Sequence, residues 1–326
     1  RNMNYATKLC IVSMMSVFSV SSMGLVQAAD TPIVSAGGAA YNIGIPGNSN
    51  FTNSDNVSLG GQAGTSNGNP YQNPNDPNAK GNNIAIGRIS LNGSSGGANV
   101  ALGSKTFLNG KGDYNFLGNF AAGFNSTISN TIAIGAFAGS GATGNKNVWL
   151  GAGQAGGSTG NNTVLIGSNS TVDGNFNYGI GHNAELKGES NAVVGAYNHV
   201  TANNTYVLGD HVTTTLDNAV VLGSHSTAES SDVVSTPSYT YAGGTVNFAG
   251  TAPVSTVSVG ATNQERTITH VAAGRVSADS TDAINGSQLY GANQQIDNLY
   301  NKISNIGKEA NKGDARAAAL AALHPM

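Results

Sequence analysis

The chain has 326 residues, 45 of them Gly, and only 10% carry charge, against ~25% in an average soluble domain. With 14 Lys and Arg against 17 Asp and Glu the net charge is -3, so no cationic stripe exists to neutralise nucleic-acid phosphates. Gly does not recur at every third position, which excludes collagen, and with 39% apolar residues the low charge does not force disorder.

Residues 1–28 read as a secretory signal peptide. Arg1 and Lys8 precede an apolar run from Leu9 to Val20, and Val26-Gln27-Ala28 fits a small-residue cleavage site. Cys10 lies inside that segment, so the mature chain has no cysteine and no disulfide or thiolate chemistry. Residues 29–82 are rich in Gly and Asn and hold a first copy of a repeat, NVSLG ending at Gly60. Between Asn67 and Asn82, Pro70, Pro74 and Pro77 predict a projecting loop.

From 83 to 230 the same phrase recurs: small polar, apolar, any, aliphatic, Gly. It ends at Gly87, Gly103, Gly135, Gly151, Gly167, Gly181, Gly195, Gly209 and Gly223, with YNFLG at Gly118 as a degraded copy. The steps from Gly87 are 16, 15, 17, 16, 16, 14, 14, 14 and 14. A step that settles to a constant marks stacked supersecondary units. The residue before each Gly is aliphatic: Leu59, Ile86, Leu102, Leu117, Ile134, Leu150, Ile166, Ile180, Val194, Leu208 and Leu222. Alternation with period two predicts a short strand, with these aliphatics facing inward and Gly making the turn. A weaker second strand follows, as in Ala184-Glu185-Leu186 or His211-Val212-Thr213. The prediction is therefore a β-solenoid of 14–16-residue coils stacked in parallel ~4.8 Å apart. Such a coil has a small interior, so side-by-side association of several rolls is expected.

Residues 231–288 form a second zone. Ser231 to Pro253 interrupts the pattern, with hairpin signals at Tyr239-Thr240-Tyr241 and Thr245-Val246-Asn247-Phe248, and the phrase returns as TVSVG at Gly260. At Leu289 the periodicity becomes helical. Leu289, Ile296, Ile303 and Ala310 form one seam; Ala292, Leu299, Ile306 and Gly313 form the other. Asp282 is the expected N-cap. Ile on both seams leans towards three strands, although the same pattern fits an amphipathic helix packing on its own domain.

Together these parts resemble the trimeric autotransporter adhesins, the YadA-like family. Asn191-Ala192-Val193-Val194-Gly195 matches its head repeat. The segments Thr269-His270-Val271-Ala272-Ala273-Gly274, Thr281-Asp282-Ala283-Ile284-Asn285 and Gln288-Leu289 match its neck. Two departures stand out: Arg275 to Ser280 is longer than in the simplest necks, and Gly286 replaces a Val found in some. The resemblance implies an all-β head that is a left-handed parallel β-roll, packed as a homotrimer. A neck then leads to a trimeric coiled-coil stalk over 289–313. Residues 314–326 look like the opening helix of the family's C-terminal membrane anchor, which makes the chain a fragment lacking most of that anchor.

The function implied is that of a bacterial adhesin, secreted across the inner membrane and displayed at the cell surface and outer membrane. It would bind host extracellular matrix proteins such as collagen or fibronectin, or neighbouring cells. In the family the head repeats take part in binding collagen, which points to Asn83, Asn99, Asn147, Asn177 and Asn191 as exposed ligand-binding positions. The alternative is a structural fibre that drives autoagglutination or biofilm without a host ligand. A β-helical polysaccharide-degrading enzyme would need longer coils and a clustered acid/base pair.

No catalytic residue, cofactor or metal is expected. His211 and His225 lie one 14-residue step apart and would stack, but two imidazoles do not complete a zinc site. Glu185 and Glu189 fall in a turn region. The Gly-rich stretches lack a following Gly-Lys-Ser/Thr, and no nucleophile elbow is present. Trp149 and Tyr206 sit at strand positions expected to face outward, as contact residues or as packing between rolls.

Overall fold

A three-residue strand ending in a sharp turn cannot hold itself together; it needs a ladder on each side. The computed structural model shows how the repeat supplies one. It describes residues 57–64 and 82–323, together with the backbone of the strands Ile33–Ala36 and Tyr41–Gly44. The signal segment with Cys10, most of the Pro-rich loop and His324 lie outside the described residues.

The chain divides into two units, one running to Val233 and taking in Val254–Glu265, the other comprising Val234–Pro253 and the chain from Arg266 onward. The first unit is a parallel β-solenoid. Its main sheet stacks Val57–Leu59, Ile84–Ile86, Val100–Leu102, Phe116–Gly118, Ile132–Ile134, Val148–Leu150, Val164–Ser168, Tyr178–His182, Ala192–Val194, Tyr206–Leu208, Val220–Leu222 and Val257–Ser258. The expected second strand is also present, but it begins one residue later than expected at Glu185 and two later at Thr213, leaving His211 in the turn: Thr171–Asp173, Glu185–Lys187, His199–Thr201, Thr213–Thr214 and Thr227–Ala228 form a parallel sheet.

The strand positions match the repeat, with one shift. Phe116, Leu117 and Gly118 pair with Ile132, Ala133 and Ile134, so Gly118 occupies the aliphatic position and Asn119 makes the turn at φ 85°. Pairing therefore advances by 16 residues in every coil from Ile84 to Val164 and by 14 from Val164 to Val220. The steps of 15 and 17 in the sequence arise because the turn residue of this coil is Asn119, one position after Gly118. At the regular turns Gly is obligatory twice over. Gly167 has φ 133°, and a Cβ there would strike the Gly181 carbonyl oxygen of the next coil.

The inward face corrects the expected register. Of the aliphatics before the Gly, Leu117 alone is core, because its strand is shifted by one; Leu59, Leu102 and Leu150 are half-buried, and Ile86, Ile134, Ile166, Ile180, Val194, Leu208 and Leu222 are exposed. Inside are the middle residues of each strand: Ala85, Ala101, Leu117, Ala133, Trp149, Leu165, Val193, Val207 and Val221. Trp149, expected outside, is fully buried, and its Nε1 donates to Thr163 Oγ1 at 3.0 Å. The cause is volume. One inward residue per strand shares the coil interior with a residue of the opposite side, such as Val172, Leu186 or Val200. Where Leu165 and Leu186 fill the space, the next inward residue is Gly179, whose Cβ would lie 2.7 Å from a Leu165 methyl. The two flanking aliphatics of each strand do not fit and point out.

In the second unit, Ser238–Tyr241 and Gly244–Asn247 pair as one antiparallel hairpin. A helix, α1, spans Gly286–Ala322 and contains no buried residue. It runs without a break through the expected stalk end at Gly313. None of the helices among the described residues is long and apolar enough to cross a membrane.

Candidate functional site

Three surfaces are built by these elements: the outer face of the main sheet, the column of turns beside it, and the neck.

The outer face carries the displaced aliphatics in register. Ile132 and Ile134, then Val148 and Leu150, Val164 and Ile166, Tyr178 and Ile180, and Tyr206 and Leu208 stack along the sheet. Exposure reaches 51% at Ile180 and 59% at Leu208. Tyr206 lies on this face, as expected. A continuous apolar file of this kind marks an interaction surface.

The Asn residues expected to contact a ligand are not exposed. Asn99, Asn147, Asn177 and Asn191 are at most 1% accessible and Asn83 is 8%. They form a side-chain ladder at the mouth of each strand. Asn83 Oδ1 accepts from the Asn99 amide (2.9 Å), Asn99 Oδ1 from the Asn115 amide (3.0 Å) and Asn115 Oδ1 from the Thr131 amide (3.0 Å). Asn147 serves Thr163 (2.8 Å), Asn177 serves Asn191 (3.0 Å), and Asn191 serves Thr205 (3.0 Å). Their Nδ2 groups donate to turn carbonyls, as Asn177 does to Gly188 at 2.7 Å. Each ladder run ends where Thr replaces Asn. The ladder satisfies backbone amides that the short strands leave over. The small polar residue opening each repeat was its signal in the sequence.

Along the turns, His182, Tyr197, His211 and His225 form an aromatic column with centroid separations of 5.4, 4.8 and 4.9 Å. The expected stacking of His211 on His225 is present, the rings lying within 2° of parallel. Lower down, Lys105 lies over the Phe120 ring and Phe120 meets Phe137 edge to face. Glu185 and Glu189 do not form a facing pair. Glu185 binds Lys187 (2.5 Å) and His199 (2.8 Å), while Glu189 Oε1 accepts from Asn175 Nδ2 (3.1 Å). The Lys187 hydrogen bond, aided by His199, holds the Glu185 carboxyl below its usual range.

The neck residues close a compact loop. Gln288 Nε2 donates to the Gly274 carbonyl (2.7 Å), and Gln288 Oε1 accepts from the amides of Gly274 (3.0 Å) and Asn285 (3.1 Å). Asn285 Nδ2 donates to the Val271 carbonyl at 3.0 Å. Gly274 is required by space, since a Cβ would strike the Ala283 carbonyl oxygen. Asn285, not Asp282, is the N-cap of α1, forming a capping box with Gln288. Asp282 instead binds Arg275 through Nε (2.8 Å) and Nη2 (2.9 Å). That pairing holds its carboxyl below the ordinary range. It also uses the extra neck residues from Arg275 to Ser280, which fold as a clasp. His270 is exposed at φ 62°, and Leu289 is exposed on the first turn of α1.

The comparisons with known proteins fall partly on the neck and the helix seams. Residues 267–312 match the family model described as the coiled stalk of trimeric autotransporter adhesin. A stretch of 86 residues is 51% identical to the autotransporter adhesin BtaE of Brucella suis biovar 1 (strain 1330). By these two matches the chain is similar to the trimeric autotransporter adhesins. The BtaE match covers 26% of this chain and 12% of that protein, so the chain spans a small part of the length of that adhesin. Among solved structures, the C-terminal YadA-like domain of BPSL2063 from Burkholderia pseudomallei is similar at 44% identity. That match covers 34% of this chain and 50% of that one, with a TM-score of 0.32. Leu289, Ile296, Leu299, Ile303 and Ile306 lie within the matched segment, and all five are exposed in the single chain.

Proposed function

We propose that the chain is the outer part of a bacterial surface adhesin, working as a homotrimer and acting by binding rather than catalysis. In this reading 83–230 is the head, 231–288 the neck and 289–313 the stalk. The observation that carries it is the apolar file on the outer face of the main sheet, exposed in one chain although each strand contributes to it. Packing three rolls along that file removes it from water, at roughly 25 cal/mol per Å2 of apolar surface covered. The exposed Ile and Leu seams of α1 ask for the same partners, and Ile on both seams favours three.

The repeat then offers similar shallow contacts coil after coil, on three chains at once, so individually weak contacts gain avidity. The partners proposed are host matrix proteins such as collagen or fibronectin, met at the bacterial outer surface. Because the Asn ladder is consumed internally, contact falls to the exposed turn and second-strand residues. The test is binding of the purified protein to collagen- and fibronectin-coated surfaces, beside a variant made monomeric by charges on the outer face. Binding by the trimer that drops in the monomer supports the reading. Agglutination of expressing cells with no matrix binding would replace it with a self-associating fibre.

A further inference from the structure

We propose that Asp210, His211 and His225 form a binding site for a late first-row divalent cation, of the class of Cu2+, Ni2+ or Zn2+. The 14-residue step places the two histidines at equivalent turn positions, with φ 53° and 56°. Their backbones are fixed by the solenoid. The His211 amide donates to the Ala196 carbonyl (2.9 Å), and the His225 amide donates to the carbonyl of Asp210 itself (2.9 Å). The rings stack at 4.9 Å, and one ligand atom from each of the three residues lies within 4.8 Å of the others. Asp210 Oδ2 is 2.8 Å from His211 Nδ1, and Ser224 Oγ is 2.7 Å from His225 Nδ1. Each imidazole thus turns its Nδ1 edge towards the residue that precedes it in its own turn.

The donor set selects the ion. Two imidazole nitrogens with one carboxylate suit Zn2+, Ni2+ and Cu2+, whereas Mg2+ and Ca2+ prefer oxygen alone. Metal–nitrogen bonds of ~2.0–2.1 Å bring two nitrogens on one ion to about 3–3.4 Å. The rings must tilt from their stacked position to achieve that. They are exposed, so the rotation meets no packed core and gives up only the ring stacking and the contacts with Asp210 and Ser224. Three protein ligands leave coordination positions for water or for a donor on another molecule. The neighbouring Glu185–His199 pair offers no equivalent, because Lys187 already places a cation on Glu185 and only one imidazole is present.

The experiment is equilibrium dialysis of the full chain against Cu2+, Ni2+, Zn2+ and Mg2+ at neutral pH, with Asp210→Asn, His225→Ala and His199→Ala variants beside it. One saturable late-metal equivalent per chain is expected, undisturbed by excess Mg2+. His225→Ala and Asp210→Asn should each weaken it by roughly tenfold or more, and His199→Ala should leave it unchanged. Electron paramagnetic resonance of the Cu2+ form should show two coupled nitrogens, falling to one in His225→Ala. If His225→Ala does not fold, as judged by its circular dichroism, the near-isosteric Asp210→Asn carries the test. Absence of saturable binding, displacement by Mg2+, or loss in His199→Ala with retention in Asp210→Asn would overturn the assignment.

Discussion

Adjacent residues on one strand should respond in opposite ways to substitution. Leu165 is fully buried in the coil, while Ile166 is 38% exposed on the outer face. Leu165→Ala removes core volume next to Gly179 and Leu186, at a cost of about 2–5 kcal/mol. That loss belongs to the single roll and should appear at every protein concentration. Ile166→Asp removes a side chain that is only partly buried within its own chain, worth about 1–2 kcal/mol when scaled from the ~1.5–3 kcal/mol of full burial. Its larger effect, on the trimer proposed above, is a charge in the middle of the apolar face along which rolls would pack. Thermal unfolding at several concentrations, with sedimentation of the same samples, separates the two. Leu165→Ala should melt earlier yet stay associated; Ile166→Asp should dissociate and become concentration-dependent. A silent Leu165→Ala beside an Ile166→Asp that unfolds the roll without altering association would refute the register.

Other outcomes follow from the same contacts. Asn177→Ala strands the buried Asn191 amide and should cost about 1–3 kcal/mol in chemical denaturation, more than an exposed turn Asn would. Gly167→Ala should disrupt the stack between neighbouring coils, seen as lost amide protection around Gly181, whereas Gly291→Ala, with open space around it, should raise helix stability by up to ~1 kcal/mol. The Asp282 carboxyl is depressed in the folded neck, so the stability it gives is present above its unfolded pKa and is lost as pH falls through the folded value. Asp282→Asn should therefore lower the helix melting temperature at neutral pH and abolish that part of the acid sensitivity, as followed by circular dichroism.

The sequence disclosed the strand positions, the parallel stack and the hairpin, because a Gly turn repeated at 14 or 16 residues leaves the backbone few choices. It did not disclose which face is inside. Alternation places Ile132 and Ile134 on one side and Ala133 on the other, and a self-sufficient domain would bury the larger pair. Here the narrow coil accepts Ala133, and the pair is left for another surface. Trp149 faces inward because it occupies the middle position of NVWLG, in register with Ala133. Asn119 was overlooked because Gly118 beside it mimicked the turn residue. The Asn ladder was visible as a period but not as a direction, since an Asn side chain satisfies a buried amide or a ligand equally well by composition. Asp282 fits an N-cap by residue type, but Arg275 takes its carboxylate and leaves the cap to Asn285. The Asp210–His211–His225 cluster was half visible: the histidine spacing was plain, and the carboxylate beside it depended on how the turn folds.

The most direct test of the account is the mass of the purified protein in solution, measured by light scattering at micromolar concentration and repeated on dilution. The uncovered outer face and the unpaired α1 seams predict three chain masses, falling towards one only in variants that place charge on that face, such as Ile166→Asp. A wild-type protein that remains a stable, folded monomer would contradict the account, because its aliphatic file would then need no partner.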